Sequence, residues 1–321
     1  MMRFLLLLLA LPLLATFAPA GMIMEPVYPA APTLWAEPVP LRTDAPGERR
    51  LGRLTFLAGW WLRSNHPRFG GISGMHVADG MVTALNDNGI VLRFAVPART
   101  GAAPLTVLDL PAAPGATKKQ RDSEALAIDG ARAWVSFERA NAIYRYRLPD
   151  WRGEASARPE ALARWSLNSG GEAMLRLRDG RFLLFSEGGR RRDGSSDVVL
   201  FERDPAEASA AASLLRYRAP DGYRITDAAE LPDGRLLFLN RRVSLMNGIT
   251  AKLTLAKRPQ LFAGATLSGT EVASFAAPVT TDNYEALSVG QERGRTIVWI
   301  ASDDNFLALQ RTMLMKFAME D

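Results

Sequence analysis

The chain has 321 residues, is 48% hydrophobic, carries a formal net charge of +5 and contains no cysteine. That length and apolar content can bury a core without covalent staples, and the missing cysteine excludes a lipoprotein, disulfides and thiolate metal sites. The basic excess is spread out rather than blocked, which argues against a dedicated nucleic-acid binder and permits anionic small ligands.

Residues 1–20 read as a secretory signal. Arg3 precedes a 14-residue apolar run, Phe4 to Phe17, and Ala18-Pro19-Ala20 supplies the small residues of a cleavage site. The run holds Pro12 and falls short of the ~20 residues of a membrane span. No other stretch approaches that length, so the expected mature protein is periplasmic or secreted, monomeric and without a membrane partner. Losing Arg3 takes the net charge from +5 to +4. Residues 21–50 hold six prolines and no hydrophobic period, which predicts an extended arm. A single domain is expected over 51–321.

Arg53 to Arg63 (RLTFLAGWWLR) reads as a strand with no motif of its own. Five motif copies follow, at Ser73, Glu124, Glu172, Asp227 and Glu285, spaced by 51, 48, 55 and 58 residues. A fixed period of this size is the mark of a repeat architecture, and here of a β-propeller. The first copy predicts strands at Ile72–Val77, Met81–Asn86, Gly89–Val96 and Leu105–Leu110. The second predicts Glu124–Ile128, Ala133–Glu138, Ala142–Leu148 and Ala161–Leu167. In the third they are Glu172–Arg176, Arg181–Ser186, Asp197–Glu202 and Ser213–Arg218, and in the fourth Asp227–Leu231, Arg235–Asn240, Thr250–Leu255 and Gly269–Phe275. Turns such as Arg178-Asp179-Gly180 and Pro232-Asp233-Gly234 join first to second strands.

The fifth copy offers only Glu285–Val289, Thr296–Ala301 and Thr312–Met319. Residues 53–63 can supply its missing strand and remove two open sheet edges at once. The expected fold is therefore all-β, a five-bladed propeller over about 51–319, closed by an N-terminal strand. A sixth blade hidden in Lys257–Thr270 is the main alternative, and a β-sandwich with coincidental spacing the other.

In an antiparallel blade the start of the first strand lies beside the end of the second. Both places are polar in every copy. The starts place Glu124, Glu172, Asp227 and Glu285 on one rim, with Ser73 breaking the series, and the strand ends add Glu138, Glu187 and Asp303. Clustered carboxylates repel and resist desolvation unless a cation offsets them, and six to eight oxygens suit calcium. The four strand-start acids are the candidate metal ligands, and Glu138, Glu187 and Asp303 the candidate bases. Arg121, Arg139, Arg190, Arg241 and Arg311 gather near the same rim, beside Lys118, Lys119, Arg191, Arg192 and Arg242. Guanidinium forks bind carboxylate and phosphate oxygens, so these are candidate anion-binding residues; for any one of them, pairing with a rim carboxylate is the plainer role. The histidines are His66, in the loop before Ser73, and His76, within an apolar strand. No Gly-x-Ser-x-Gly elbow, phosphate-binding Gly-x-x-x-x-Gly-Lys loop or His-Glu-x-x-His helix is present.

Phe69-Gly70-Gly71-Ile72-Ser73-Gly74, Ser123-Glu124-Ala125-Leu126-Ala127, Trp134-Val135-Ser136-Phe137-Glu138, Gly171-Glu172-Ala173-Met174, Thr226-Asp227-Ala228-Ala229, Asn283-Tyr284-Glu285-Ala286-Leu287 and Ser302-Asp303-Asp304-Asn305-Phe306 through Gln310-Arg311-Thr312 together resemble the bacterial phytase-like proteins described as having esterase-like activity of phytase. The resemblance implies a propeller and an ester or phosphoester hydrolase, with no matched catalytic set to carry over. The Arg-His-Gly motif of histidine acid phosphatases is absent, so phytase activity would be of the calcium-dependent propeller kind, which is similar in architecture only. The expected function is metal-assisted hydrolysis of a small anionic or ester substrate at the tunnel mouth. A calcium-dependent lactonase and a non-catalytic ligand- or partner-binding propeller are the alternatives.

Overall fold

Phe182–Ser186 (FLLFS) is buried at every position, as expected of a strand covered on both faces. The computed structural model describes residues 28–98, 100–115, 121–166, 170–188, 191, 193–257 and 260–320, and among these nearly all regular structure is strand. The expected signal segment, Lys118, Lys119, Arg190 and Arg192 lie outside the described residues. Ala31–Asp321 forms one compact unit.

The described strands form five sheets. The first holds Ile72–Ala78, Met81–Asn86, Ile90–Ala95 and Thr106–Asp109. The second holds Ser123–Asp129, Arg132–Phe137, Ala142–Arg147 and Arg152–Ala157. The third holds Gly171–Arg176, Phe182–Ser186, Ser196–Phe201 and Ala212–Tyr217; the fourth, Arg224–Glu230, Leu236–Ser244, Gly248–Ala256 and Thr270–Phe275. The fifth begins with Tyr284–Glu292, Arg295–Ser302 and Met313–Met319. Leu54–Ser64 then adds antiparallel to its last strand, with Met313 opposite Trp61 and Lys316 opposite Ala58.

Three expectations need correction. The extended arm is part of a sheet: Thr33–Pro38 pairs with Leu54–Ser64 on one side and Gly101–Pro104 on the other. Pro32 and Pro38 flank or end this strand, where a missing N–H disturbs the ladder least. The outer strand of the second sheet is Arg152–Ala157, not Ala161–Leu167. As an exposed edge it needs no apolar alternation, while Leu162 and Trp165 drop from a turn into the core between the second and third sheets. Finally, the insert after Lys257 contributes Thr266–Leu267 to the third sheet, parallel to Ala212–Tyr217, and no further sheet among the described residues.

Five hydrophobic clusters hold the sheets together, each between two neighbours. Leu85 meets Val135 between the first and second, Trp134 packs edge-on against Phe182 between the second and third, and Phe185 against Phe238 between the third and fourth. Phe275 and Tyr284 join the fourth to the fifth, and Trp299 and Met75 the fifth to the first. First strands adjoin one another in the same cyclic order. This is a β-propeller arrangement in which the first strands line a central tunnel.

Phe317 lies on the last strand, buried between Phe56 and Phe275 at 5.7 Å from each ring. Phe317→Ala should cost about 3–5 kcal/mol in urea denaturation, whereas Leu214→Ala, whose side chain is exposed near the outer edge of the third sheet, should change stability by no more than ~0.5 kcal/mol. Equal effects would show that the joint between the last strand and Leu54–Ser64 contributes no more than an outer edge.

Candidate functional site

Every first strand carries a one-residue bulge at its motif. In the first sheet Ile72 faces Asn86 and Gly74 faces Leu85, so Ser73 is left over. The same shift leaves out Glu124, Glu172, Thr226 and Glu285 in the other four. A bulge re-aims the extra side chain without disturbing the alternation on either side. Gly74, Ala125, Ala173 and Ala286 can therefore pack between sheets while the preceding residue turns to the tunnel mouth.

The fourth copy corrects the sequence reading. Thr226, not Asp227, takes the bulge, and Asp227 occupies the position filled by buried alanines elsewhere. Its carboxylate accepts from Ala228 N at 2.8 Å and Leu287 N at 2.7 Å, tying the fourth sheet to the fifth. Burial pushes its pKa well above the usual range, against those two bonds. It is a rivet, set apart from the carboxylate ring.

A second ring comes from the residue just past the second strand in four sheets, Asp87, Glu138, Glu187 and Asp303, and from Arg241 within the longer second strand of the fourth. Backbone bonds fix the register, with Asp87 N donating to Gly71 O, Glu138 N to Asp122 O and Asp303 N to Asn283 O, each at 2.9 Å. Glu138 Oε1 accepts from Gly170 N at 3.1 Å, and a Cβ at Gly170 would lie 2.9 Å from Glu138 Cγ. Asp304 accepts from Gly71 N and the Thr312 hydroxyl, and a Cβ at Gly70 would stand 2.5 Å from its Oδ1. The paired glycines thus let the first sheet approach the fifth.

The mouth has two electrostatic sides. On the second sheet, Asp122, Glu124 and Glu138 bring carboxylate oxygens within 4.8 Å of one another, and Arg139 Nε donates to Asp122 at 2.9 Å. On the fourth, Arg241 Nη1 pairs with Glu285 at 2.8 Å and donates to Asn283 Oδ1, while Nη2 reaches Glu187 at 3.3 Å. Arg224 also meets Glu187, at 3.5 Å. A cavity of about 370 Å³ lined by Glu187, Gly222, Arg224, Arg241, Arg242 and Val243 opens beside it.

Charge is out of balance here. Among the described residues, Asp87, Asp122, Glu124, Glu138, Glu172, Glu187, Glu285 and Asp303 face Arg139, Arg224 and Arg241. Burial pushes Glu124 and Glu172 well above the ordinary glutamate range, reinforced by Asp122 and Glu285 on the first and by Glu124 and Glu187 on the second. Both keep an opening to the tunnel, yet protein encloses their carboxylates. Burial also raises Glu138, against the bond from Gly170, and Glu285, against the Arg241 cation. Asp303 is pushed up to about 8 by burial and by Glu285. Arg241 is disfavoured by burial, but Glu285, Glu187 and Glu172 outweigh this and raise its pKa. Such a mouth holds protons, a cation or both.

Several candidate arginines are committed to other partners. Arg121 donates to the carbonyls of Gly89 and Leu110 at 3.1 and 2.9 Å, which commits it to the first sheet rather than to an anion. Arg311 pairs with Asp282 at 3.6 Å and Arg139 with Asp122, while Arg190 lies outside the described residues. Asp122 and Arg224 are absent from the sequence candidates; their signal is positional, each lying two residues before the bulge. Beyond the rings the tunnel turns apolar at Met75, Leu126, Met174 and Leu287, then opens at the far end beside His76, Arg176 and Glu230.

A family model described as Phytase-like, esterase-like activity of phytase, matches residues 67–306. No curated protein matches the sequence. Among solved structures, the chain is similar to the glutaminyl cyclase of Myxococcus xanthus, at 12% identity over 85% of this chain and 100% of that one, TM-score 0.48. It is also similar to a bifunctional GH43-CE protein of Bacteroides eggerthii, at 9% identity over 78% and 33%, TM-score 0.49. The beta-xylosidase RS223 follows at 13% over 88% and 94%, TM-score 0.42.

Two outcomes check this geometry. A carboxyl whose pKa rises on folding stabilises the folded chain below its ordinary pKa and loses that contribution as pH climbs to the folded value. For Asp303 that window runs from 3.8 to about 8. Without divalent cations the melting temperature should therefore fall across it, and Asp303→Asn should flatten part of the slope; an unchanged slope counts against the assignment. Asp227→Asn replaces one accepting oxygen with a donor facing a backbone N–H. It should destabilise by about 1–3 kcal/mol while leaving any calcium affinity, measured by calorimetry, unchanged.

Proposed function

We propose that this chain, which belongs to the phytase-like family, closes as a five-bladed propeller and hydrolyses an ester or phosphoester at the charged mouth. The observation that carries this reading is the facing of Asp122, Glu124 and Glu138 across the mouth from Arg241, amid more carboxylates than the guanidiniums neutralise among the described residues. Five sheets, five interfacial clusters and the pairing of Leu54–Ser64 with Met313–Met319 support the closed ring.

The three clustered carboxylates offer hard oxygen donors and fit a calcium ion better than a softer metal. A bound calcium ion would polarise the substrate oxygen and offset the negative charge around it. Glu138 thereby moves from candidate base to ligand, joining Asp122 and Glu124. Arg241, held rigidly by Glu285 and Glu187, orients an anionic substrate oxygen from the opposite side. Its neighbour cavity, with Arg224 and Arg242, receives the rest of an anionic group. Asp303, with its carboxyl pKa near 8, is poised to take a proton from attacking water at neutral pH. Glu187 serves Arg241 rather than the substrate. The apolar run after Arg3 supports export, so the mature protein works as a monomer in the periplasm or outside the cell, where calcium is at hand.

Purified protein assayed with p-nitrophenyl phosphate, p-nitrophenyl acetate, phytate and a lactone, with and without chelator, tests this. Turnover on at least one, lost to chelator and restored by calcium, is expected. Asp303→Asn should lower kcat by about 10²–10⁴ with KM little changed, and Glu124→Gln should abolish the calcium-induced rise in melting temperature. No turnover on any substrate together with no calcium shift would leave a binding propeller instead.

A further inference from the structure

The turns that follow the second strands differ in character around the mouth. In the first three sheets they begin Asp87-Asn88-Gly89, Glu138-Arg139-Ala140-Asn141 and Glu187-Gly188, all polar or small. In the fourth sheet the hairpin outruns its neighbours. Its strands stay paired beyond Arg241 and Ala251 through Arg242–Thr250, Val243–Ile249 and Ser244–Gly248, whereas the first strand stops opposite Arg241 and the outer strand opposite Ala251. Three residue pairs thus form a two-stranded stalk, about 10 Å long at ~3.3 Å per residue.

Apolar residues crown it. Val243 and Leu245 are exposed and Met246 is 94% exposed. On the adjoining fifth sheet the corresponding connection, after Asp303, carries exposed Leu307 and Leu309, the latter 98% exposed. Antiparallel geometry puts both connections at the same end as the carboxylate rings. Exposed apolar side chains gathered on neighbouring tips call for a partner surface.

Basic groups flank them. The side chains of Arg224 and Arg311 are 52% and 41% exposed even while paired with Glu187 and Asp282, and Arg242 lies at the foot of the stalk, over the Tyr223 ring. Asp303 is buried and Asp304 is occupied by Gly71, Phe306 and Thr312; Asp221 is the exposed acid on the loop before Arg224. The outward face beside the tips is therefore mainly cationic, while the excess carboxylates are recessed in the mouth.

We propose that this face docks on an anionic phospholipid bilayer, with the tips of the fourth and fifth sheets entering the headgroup region and Arg224, Arg242 and Arg311 meeting lipid phosphates. Two narrow neighbouring tips can enter a fluid layer, but their few apolar residues offer a protein partner no continuous face of the ~800 Å² per side that a stable interface buries. The absence of a membrane partner, expected from the lack of a long apolar run, does not bear on this mode, because a hairpin tip needs only two or three apolar residues. Docking shares Arg224 and Arg242 with the cavity assigned above to the substrate, but vesicle binding is read without turnover, so failure of the one reading is distinguishable from failure of the other.

Co-sedimentation of the purified protein with phosphatidylcholine vesicles, with and without phosphatidylglycerol, tests it. Binding should require phosphatidylglycerol and weaken with added salt as exposed charges are screened. The triple variant Leu245→Ser, Met246→Ser, Leu309→Ser should bind at least about tenfold more weakly, as loss of a few buried apolar side chains implies, with an unchanged melting temperature because none of the three is packed. Failure of the parent protein to bind phosphatidylglycerol vesicles, or equal binding by the triple variant, overturns the proposal. So does a dimer in light scattering that the triple variant abolishes, which would assign the tips to a second copy of the chain.

Discussion

One extra residue in each first strand is what allows an apolar sheet to end in a charged mouth. Strand side chains alternate strictly, so a regular first strand that buried Ala125 between sheets would send Glu124 to the neighbouring sheet's core. The bulge breaks that rule once per sheet, at the motif each time. Ten positions, five at the bulges, four just past the second strands and Arg241 within the longer second strand of the fourth sheet, then form two rings with no change to the packing beneath. The tunnel consequently changes from carboxylate to methionine and leucine within a few residues.

Within those rings the fourth sheet reverses the sign. Where three other sheets place Glu124, Glu172 and Glu285, the fourth has Thr226; where the other four place Asp87, Glu138, Glu187 and Asp303, it has Arg241. Arg224, the partner of Arg241 across the ladder, adds to the same side. The mouth is thus polarised, basic towards the fourth sheet and acidic towards the second. Burial magnifies this, because a charge enclosed by protein loses its hydration and depends on its neighbours instead. Arg241 is bound to Glu285 and Glu187 and has little rotamer freedom left.

The sequence was legible wherever period and pattern had a physical cause. Spacing located five first strands because each must line the same tunnel, and the incomplete fifth copy pointed to residues 53–63 because an open edge needs a partner. The pattern misled where burial was not what shaped the strand. Arg152–Ala157 is an exposed edge and Thr33–Pro38 a proline-flanked one, so neither shows the alternation that betrays a half-buried strand. Asp227 was misplaced by a single residue because Thr226-Asp227-Ala228 imitates Ser123-Glu124-Ala125, and only the ladder register tells them apart. Asp122 offers no pattern at all: it joins Glu124 and Glu138 through the fold, not through its surroundings in sequence.

The ring positions also show what a carboxylate there costs the scaffold. Ser73 Oγ donates to Ser123 O at 2.7 Å and Thr226 Oγ1 to Tyr284 O at 3.3 Å, in each case the residue just before the bulge of the next blade. A short hydroxyl at the bulge therefore ties one sheet to the next, which an ionised glutamate, an acceptor only, cannot do. Between the second and third sheets, where Glu124 holds the bulge, the same tie to Gly171 O comes from Ser136 on the second strand, at 2.7 Å. Ser136 also accepts from Ala125 N, so one hydroxyl replaces the lost donor and fixes the bulge itself. Acidic residues at these positions oppose the packing of neighbouring sheets, and a compensating hydroxyl beside Glu124 marks that carboxylate as one the scaffold accommodates rather than one it needs for its own stability.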